Sequence, residues 1–226
     1  MTMLLTTRHR LSTLAARLRA DTSGISMTEF ALSLPILISM TFVGIETANY
    51  TLANMRASQI ALMVADNAGR VRTSIDEADI NEVMIGARLA GEGMKLGSKG
   101  RIILSSLEPN GLASPKTGQM IRWQRCFGNK NVQSSYGAQG DGTTDASMAA
   151  GMGPAGKKIQ AMNGAAIMFV ELVYQYDPVM ADAFFQPRTI RYTAAYTVRE
   201  RATNTLSNLQ NMSNAQKRLC TNFSAT

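Results

Sequence analysis

The chain of 226 residues contains one histidine, one tryptophan and two cysteines, and only 6 % of it is aromatic. The one histidine, His9, lies in a basic N-terminal stretch, so the rest of the chain has no imidazole to share a proton or bind a metal. Cys126 and Cys220 stand far apart with no CxxC spacing, and zinc would need more cysteine or histidine ligands than these. No serine sits in a nucleophile-elbow context. Acids are sparse as well: Glu171 and Asp177 are the only ones between Asp145 and Asp182. General acid–base chemistry needs two groups held close with separated pKa values, and nothing in the sequence provides them. "GMGPAGKK" lacks the GxxxxGK[ST] frame of a phosphate loop. "GDGTTD" has two acids but no bidentate glutamate to complete a calcium loop. The expectation is a protein that is not an enzyme, with no catalytic residue, no metal site and no cofactor.

A clustered basic stripe is also missing. The net charge is +7, but Arg8, Arg10, Arg17 and Arg19 against Asp21 place +3 of it in the first 24 residues. The remaining +4 is dispersed and aids solubility. "RWQRCF", with the one Trp, reads as a strand, and no nucleic-acid partner is expected.

One long hydrophobic run is present. From Ile25 to Ile45 there are 21 residues whose only charge is Glu29, about 31 Å of helix and the thickness of a hydrocarbon core. Four arginines precede it, and no lysine or arginine follows until Arg56. The positive-inside rule puts the N-terminus in the cytoplasm and the bulk of the chain across a lipid bilayer. The segment is longer than a secretory h-region, and "ETANYTLANMRASQIALMVADNAG" continues it in helical register. Ala48, Leu52, Met55 and Leu62, broadened by Ile60, Met63 and Val64, form an apolar stripe for a domain or for neighbouring copies. The spacing predicts one helix from about Ser26 to Ala68, with Pro35 expected to kink it. Glu46 closes the run and is expected to face water. In a non-cytoplasmic compartment an even cysteine pair reads as one disulfide; the other reading is two separate buried thiols.

Within this run the string Gly24-Ile25-Ser26-Met27-Thr28-Glu29-Phe30 resembles the processing site of type IV prepilins. That resemblance implies Gly before the cut, Glu as fifth mature residue and, in the Flp/Tad branch, an aromatic beside it. The following "EFALSLPILISMTFVGIE" resembles the N-terminal region of TadE-like pseudopilins, which read E-F-A-L-x-L-P and end in a Glu. The likeness covers residues 21–50. It implies a minor pilin cut by a prepilin peptidase after Gly24 and required for assembly of Tad/Flp-type adhesive pili. The implied partners are that peptidase, other pilins and pseudopilins, and the Tad inner-membrane assembly platform. The implied location is single-pass in a bacterial inner membrane with the C-terminal domain periplasmic, or extracellular in the pilus. Entry into the fibre, capping of its tip and retention in the membrane all remain open. Two alternatives are a type II secretion-like pseudopilin, although those resemble "GFTLIE", and an uncleaved membrane-anchored binding module. The leader exceeds short prepilin leaders, which fits a start at Met3 or a longer leader.

Glu29 has a physical reason under this reading. Cutting after Gly24 frees the α-amino group of Ile25, a positive charge one helical turn from the Glu29 carboxylate. Either that amine or a neighbouring subunit's can pair with it, and only in the correct register. A Glu that snorkels to the headgroups is the plainer alternative.

The whole is expected to be α+β: a basic leader (1–24), a pilin-like membrane-spanning and amphipathic helix (25–70) and a domain (71–226) with a second helix and a small antiparallel sheet. A capping box from Ser74 to Glu77 opens a second helix over 75–90, stopped by Gly91. Strands are expected over 101–108, 118–127, 165–176 and 189–200, with one sheet face under the helices. "KTGQ" is expected to turn tightly between the first two, and "DPVMADAFFQP" to join the last two. The glycine-rich stretch 128–158 reads as a mobile loop, and the tail as loose apart from a short helix near 206–219.

Overall fold

The computed structural model describes residues 14–179, 185–199 and 201–225. It is α+β, with a long apolar N-terminal helix, further helices and a small antiparallel sheet. Helix α1 runs Ile25–Arg70 without interruption and passes through Pro35. The chain divides into two compact units, Met1–Ala48 and Asn49–Thr226, so the boundary falls inside α1 and its last turns belong to the folded domain.

In that domain α1 buries Ala53, Ala57, Ile60, Ala61, Val64, Ala65 and Ala68. This corrects the expected stripe: Leu52, Met55 and Leu62 are each about half exposed, at 49, 53 and 52 %. Small side chains let a helix lie close to its neighbours, and the alanine side therefore wins the core although the leucine side is more hydrophobic. Gly69 belongs to the same close approach, since a Cβ there would come within 2.7 Å of the Tyr196 ring.

The next helix, α2 (Glu77–Ala90), starts two residues later than its capping signal suggested. Thr73–Asp76 is strand β1, and the cap is Asp76 rather than Ser74. Ala78 N donates to Asp76 Oδ1 at 3.0 Å, and Asp76 N donates to Asp79 Oδ2 at 2.8 Å. A 3-10 turn (Glu92–Met94) and the one-turn helix α3 (Leu96–Lys99) lead into the sheet.

Strands β2 (Gly100–Pro109), β3 (Gln119–Phe127), β4 (Ile167–Tyr176) and β5 (Arg188–Thr197) form one antiparallel sheet in the order β3-β2-β4-β5. The two central strands are buried almost throughout, whereas β5 is exposed at half of its positions and its two buried residues, Ile190 and Ala194, lie on one face. Alternation marks a strand with one wet face, and its loss marks a strand covered on both. The first face packs under α1 and α2 through Ile102, Leu104, Trp123, Val170, Leu172 and Ala194.

The second face is not bare. Leu107, Ile121, Ile167 and Phe169 pack against Ala161 and against Tyr136, Met148 and Met152, the last three from the glycine-rich stretch expected to be a mobile loop. Its glycines let it lie flat. Gly142 (φ +77) and Gly151 (φ +82) hold left-handed backbone, where a Cβ would run into the carbonyls of Gln119 and Ile159.

Two connections also differ from expectation. Residues 110–118 join β2 to β3 as a nine-residue loop, not as a tight turn at "KTGQ". Asn110 organises it, its Nδ2 donating to Lys116 O, Gly142 O and Asp145 O and its Oδ1 accepting from Leu112 N and Gly118 N. The expected helix near 206–219 is absent. Arg201–Ser207 is strand β6, parallel to β1 with Ile75 opposite Leu206, and turns follow. Of "DPVMADAFFQP", residues 180–184 lie outside the described residues.

Candidate processing site and apolar helix

The site is built from the first unit. Residues 14–20 are helical, and the helix stops where Asp21 N donates to Arg17 O at 2.9 Å. Asp21 then folds the break between helices, accepting from Ser23 N at 2.9 Å and from Ser23 Oγ. Those hydrogen bonds, the side-chain one first, hold its carboxyl below the usual aspartate range. Gly24 supplies the carbonyl that starts α1, receiving Thr28 N at 3.1 Å, and Ile25 N donates to Thr22 O. The Gly24–Ile25 peptide bond therefore lies in the turn between the two helices. Both residues are exposed. Among the described residues nothing demands glycine at 24: its φ lies outside the left-handed region, and a Cβ would meet no atom within 4 Å.

Glu29 stands on α1 four residues after Ile25, exposed, with no hydrogen bond or ion pair among the described residues. Phe30 beside it is 57 % exposed. The apolar part of α1 is long and apolar enough to cross a membrane, and none of its 18-residue core is buried inside the protein. Its hydroxyls are turned inward. Thr28, Ser33, Ser39, Thr41 and Thr47 each donate to a carbonyl three or four residues back, at 2.7 to 3.0 Å. Such back-bonding satisfies polar groups without water, as a helix in hydrocarbon requires.

Glu46 departs from expectation. It is only 4 % exposed and is not without a partner, so it does not face water as its place at the end of the run suggested. A carboxylate taken out of water persists as a charge only when paired or hydrogen-bonded.

The cysteines meet far from this helix start in sequence. Cys126, near the end of β3, is bonded to Cys220 in the C-terminal segment, closing a loop of 94 residues. The acids of "GDGTTD" serve turns: Ala138 N donates to Asp141 Oδ2 and Ser147 N to Asp145 Oδ1. Three buried polar residues were given no structural role by sequence reasoning. Arg125 pairs with Glu77 of α2 through Nε–Oε2 at 2.9 Å. Glu171 accepts Ser135 N with both oxygens, and burial pushes its carboxyl above the usual range against those bonds and Arg191. Arg101, 1 % exposed, reaches three carbonyls near the disulfide. An arginine within an apolar strand is the one signal that marks it. Comparison with protein-family models, characterised proteins and solved structures finds no match for this chain.

Proposed function

We propose that the chain is a TadE-like pseudopilin or minor pilin, cut by a prepilin peptidase after Gly24 and used to assemble Tad/Flp-type adhesive pili. The observation that carries this reading is the exposed Gly24–Ile25 bond in the break between two helices, four residues ahead of a carboxylate that has no partner among the described residues and stands on an apolar run. Fold stability gives no reason for glycine at 24, and a protease that must approach the backbone closely does.

Hydrolysis of that bond places a protonated amine at the start of α1. Glu29, one turn along, is then its natural counter-charge within the chain or between subunits. A carboxylate buried alone among apolar helices costs several kcal/mol, and an amine in register offsets much of it. The leader stays in the cytoplasm, α1 spans the inner membrane, and the domain lies in the periplasm or travels outward with the fibre. The exposed Leu52, Met55 and Leu62 leave a side of α1 available to other pilins and to the assembly platform.

N-terminal sequencing of the mature protein tests the reading and is expected to begin at Ile25. Gly24→Val is expected to leave the leader attached, seen as slower migration on gels. Glu29→Gln is expected to be processed normally and to lose pilus production. Full-length, uncut protein in cells making normal fibres would overturn the proposal.

A further inference from the structure

Arg101 opens β2 and its side chain is buried. Among the described residues it meets no carboxylate. Nη1 donates to Gly128 O at 2.7 Å and to Asn222 O at 2.8 Å, and Nη2 donates to Cys220 O at 2.6 Å. The Phe223 ring lies 4.2 Å from the guanidinium carbon, while Nε is buried with no hydrogen bond. A buried cation without a counter-charge is expensive, and desolvation accordingly lowers its pKa. What it gains is geometry. One planar fork holds a carbonyl two residues past Cys126 and the carbonyl of Cys220 itself, with a third two residues beyond.

The same segment is tied to β3 by backbone. Cys126 N donates to Arg218 O at 2.6 Å and Gly128 N to Ser224 O at 3.0 Å. Farther on, Ala225 lies against Gly97 of α3, where a Cβ would come within 2.7 Å of its carbonyl oxygen. Noncovalent contacts therefore flank the disulfide on both sides.

We propose that Arg101 docks the C-terminal segment, residues 218–225, independently of the disulfide and thereby aligns Cys220 with Cys126, so that oxidation locks a contact already made. The chemistry is thiol–disulfide exchange. With glutathione disulfide as oxidant, one cysteine thiolate attacks it and releases one reduced glutathione. The second thiolate attacks the mixed disulfide and displaces the other, and the two protons given up by the cysteines end, through solvent, on the two glutathione thiolates. Arg101 is a positioning residue: it touches neither sulfur and acts through the carbonyls of Cys220 and Gly128.

The test uses the full chain in detergent micelles. In the Cys126→Ser/Cys220→Ser chain, the amides at positions 126 and 128 are expected to stay protected from hydrogen exchange. Adding Arg101→Met is expected to lower that protection at least about tenfold, the loss of one charge-assisted hydrogen bond, with the Leu104 amide in β2 unchanged. In the cysteine-containing chain, Arg101→Met is expected to lower the pair's effective concentration, measured against glutathione by thiol trapping, by at least about tenfold. If Arg101→Met also exposes Leu104, Arg101→Lys, which keeps the charge and loses the fork, replaces it with the same expectation. Free exchange at 126 and 128 in the serine chain with Arg101 intact would overturn the proposal, as would an effective concentration unchanged by loss of the fork.

Discussion

Single charged residues tie this domain together, and each has a distinct sign. Glu77 and Arg125 are a buried ion pair between α2 and β3, 3 and 7 % exposed. Removing one partner strands the other in a dry site. Arg125→Met is expected to destabilise by roughly 3–5 kcal/mol, and the double change with Glu77→Leu by much less; urea denaturation of the two variants checks the difference. Asp76 and Glu171 titrate in opposite senses. Burial raises the Asp76 carboxyl, but hydrogen bonds from Leu209, Ala78, Ser207 and Glu77 outweigh it and leave the pKa below the ordinary 3.8. Its contribution is present above that ordinary value and is lost as pH falls through the folded pKa. Glu171 is raised above 4.5, chiefly by burial. Its contribution is full below that value and is lost as pH rises through the folded pKa. Melting temperature against pH is therefore expected to lose part of its acid limb in Asp76→Asn. In Glu171→Gln it should lose the decline just above the ordinary glutamate range.

At the scale of elements, the outcome for α1 turns on volume rather than hydrophobicity. Ala57 and Ala61 are fully buried, whereas Leu62 beside them is half exposed. Ala61→Leu forces extra methylene groups into a filled contact and is expected to cost about 1–3 kcal/mol, while Leu62→Ala should stay within about 0.5 kcal/mol of the parent; thermal melts of the two variants separate these cases. Local pattern made the sheet readable: all four strands were placed to within three residues at either end, because apolar and β-branched runs between glycine and proline breaks need no distant information. The same locality explains the misses. β1 and β6 pair across more than 120 residues, and neither "TSID" nor "RATNTLS" looks like a strand on its own. Asp76 outcompetes Ser74 as the cap because it also accepts Ser207 Oγ and Leu209 N, partners that only the folded chain supplies. The glycine-rich stretch reads as solvent-loving until its scattered Tyr136, Met148 and Met152 are seen to converge on one sheet face.

At the scale of the whole molecule, helix α1 carries the chain from an apolar segment into the α+β domain as one helix, although Pro35 gives it no N–H to donate. The proposed processing motif rests on a glycine, a carboxylate and an aromatic at fixed spacing beside an uncharged run, a pattern that a sequence displays. The Arg101 contacts are not displayed there, because carbonyl acceptors are the same at every residue and leave no mark in a sequence. Docking of the C-terminal segment on β3 has a further consequence. Among the described residues, no backbone hydrogen bond from another segment lies along the outer side of β5. Among the described residues, the four-stranded sheet thus has its β3 margin occupied and its β5 margin open. A sheet with a single open margin can join one mate there and has no second margin to offer a third. A long polymer would then need a repeating contact other than strand addition at this sheet.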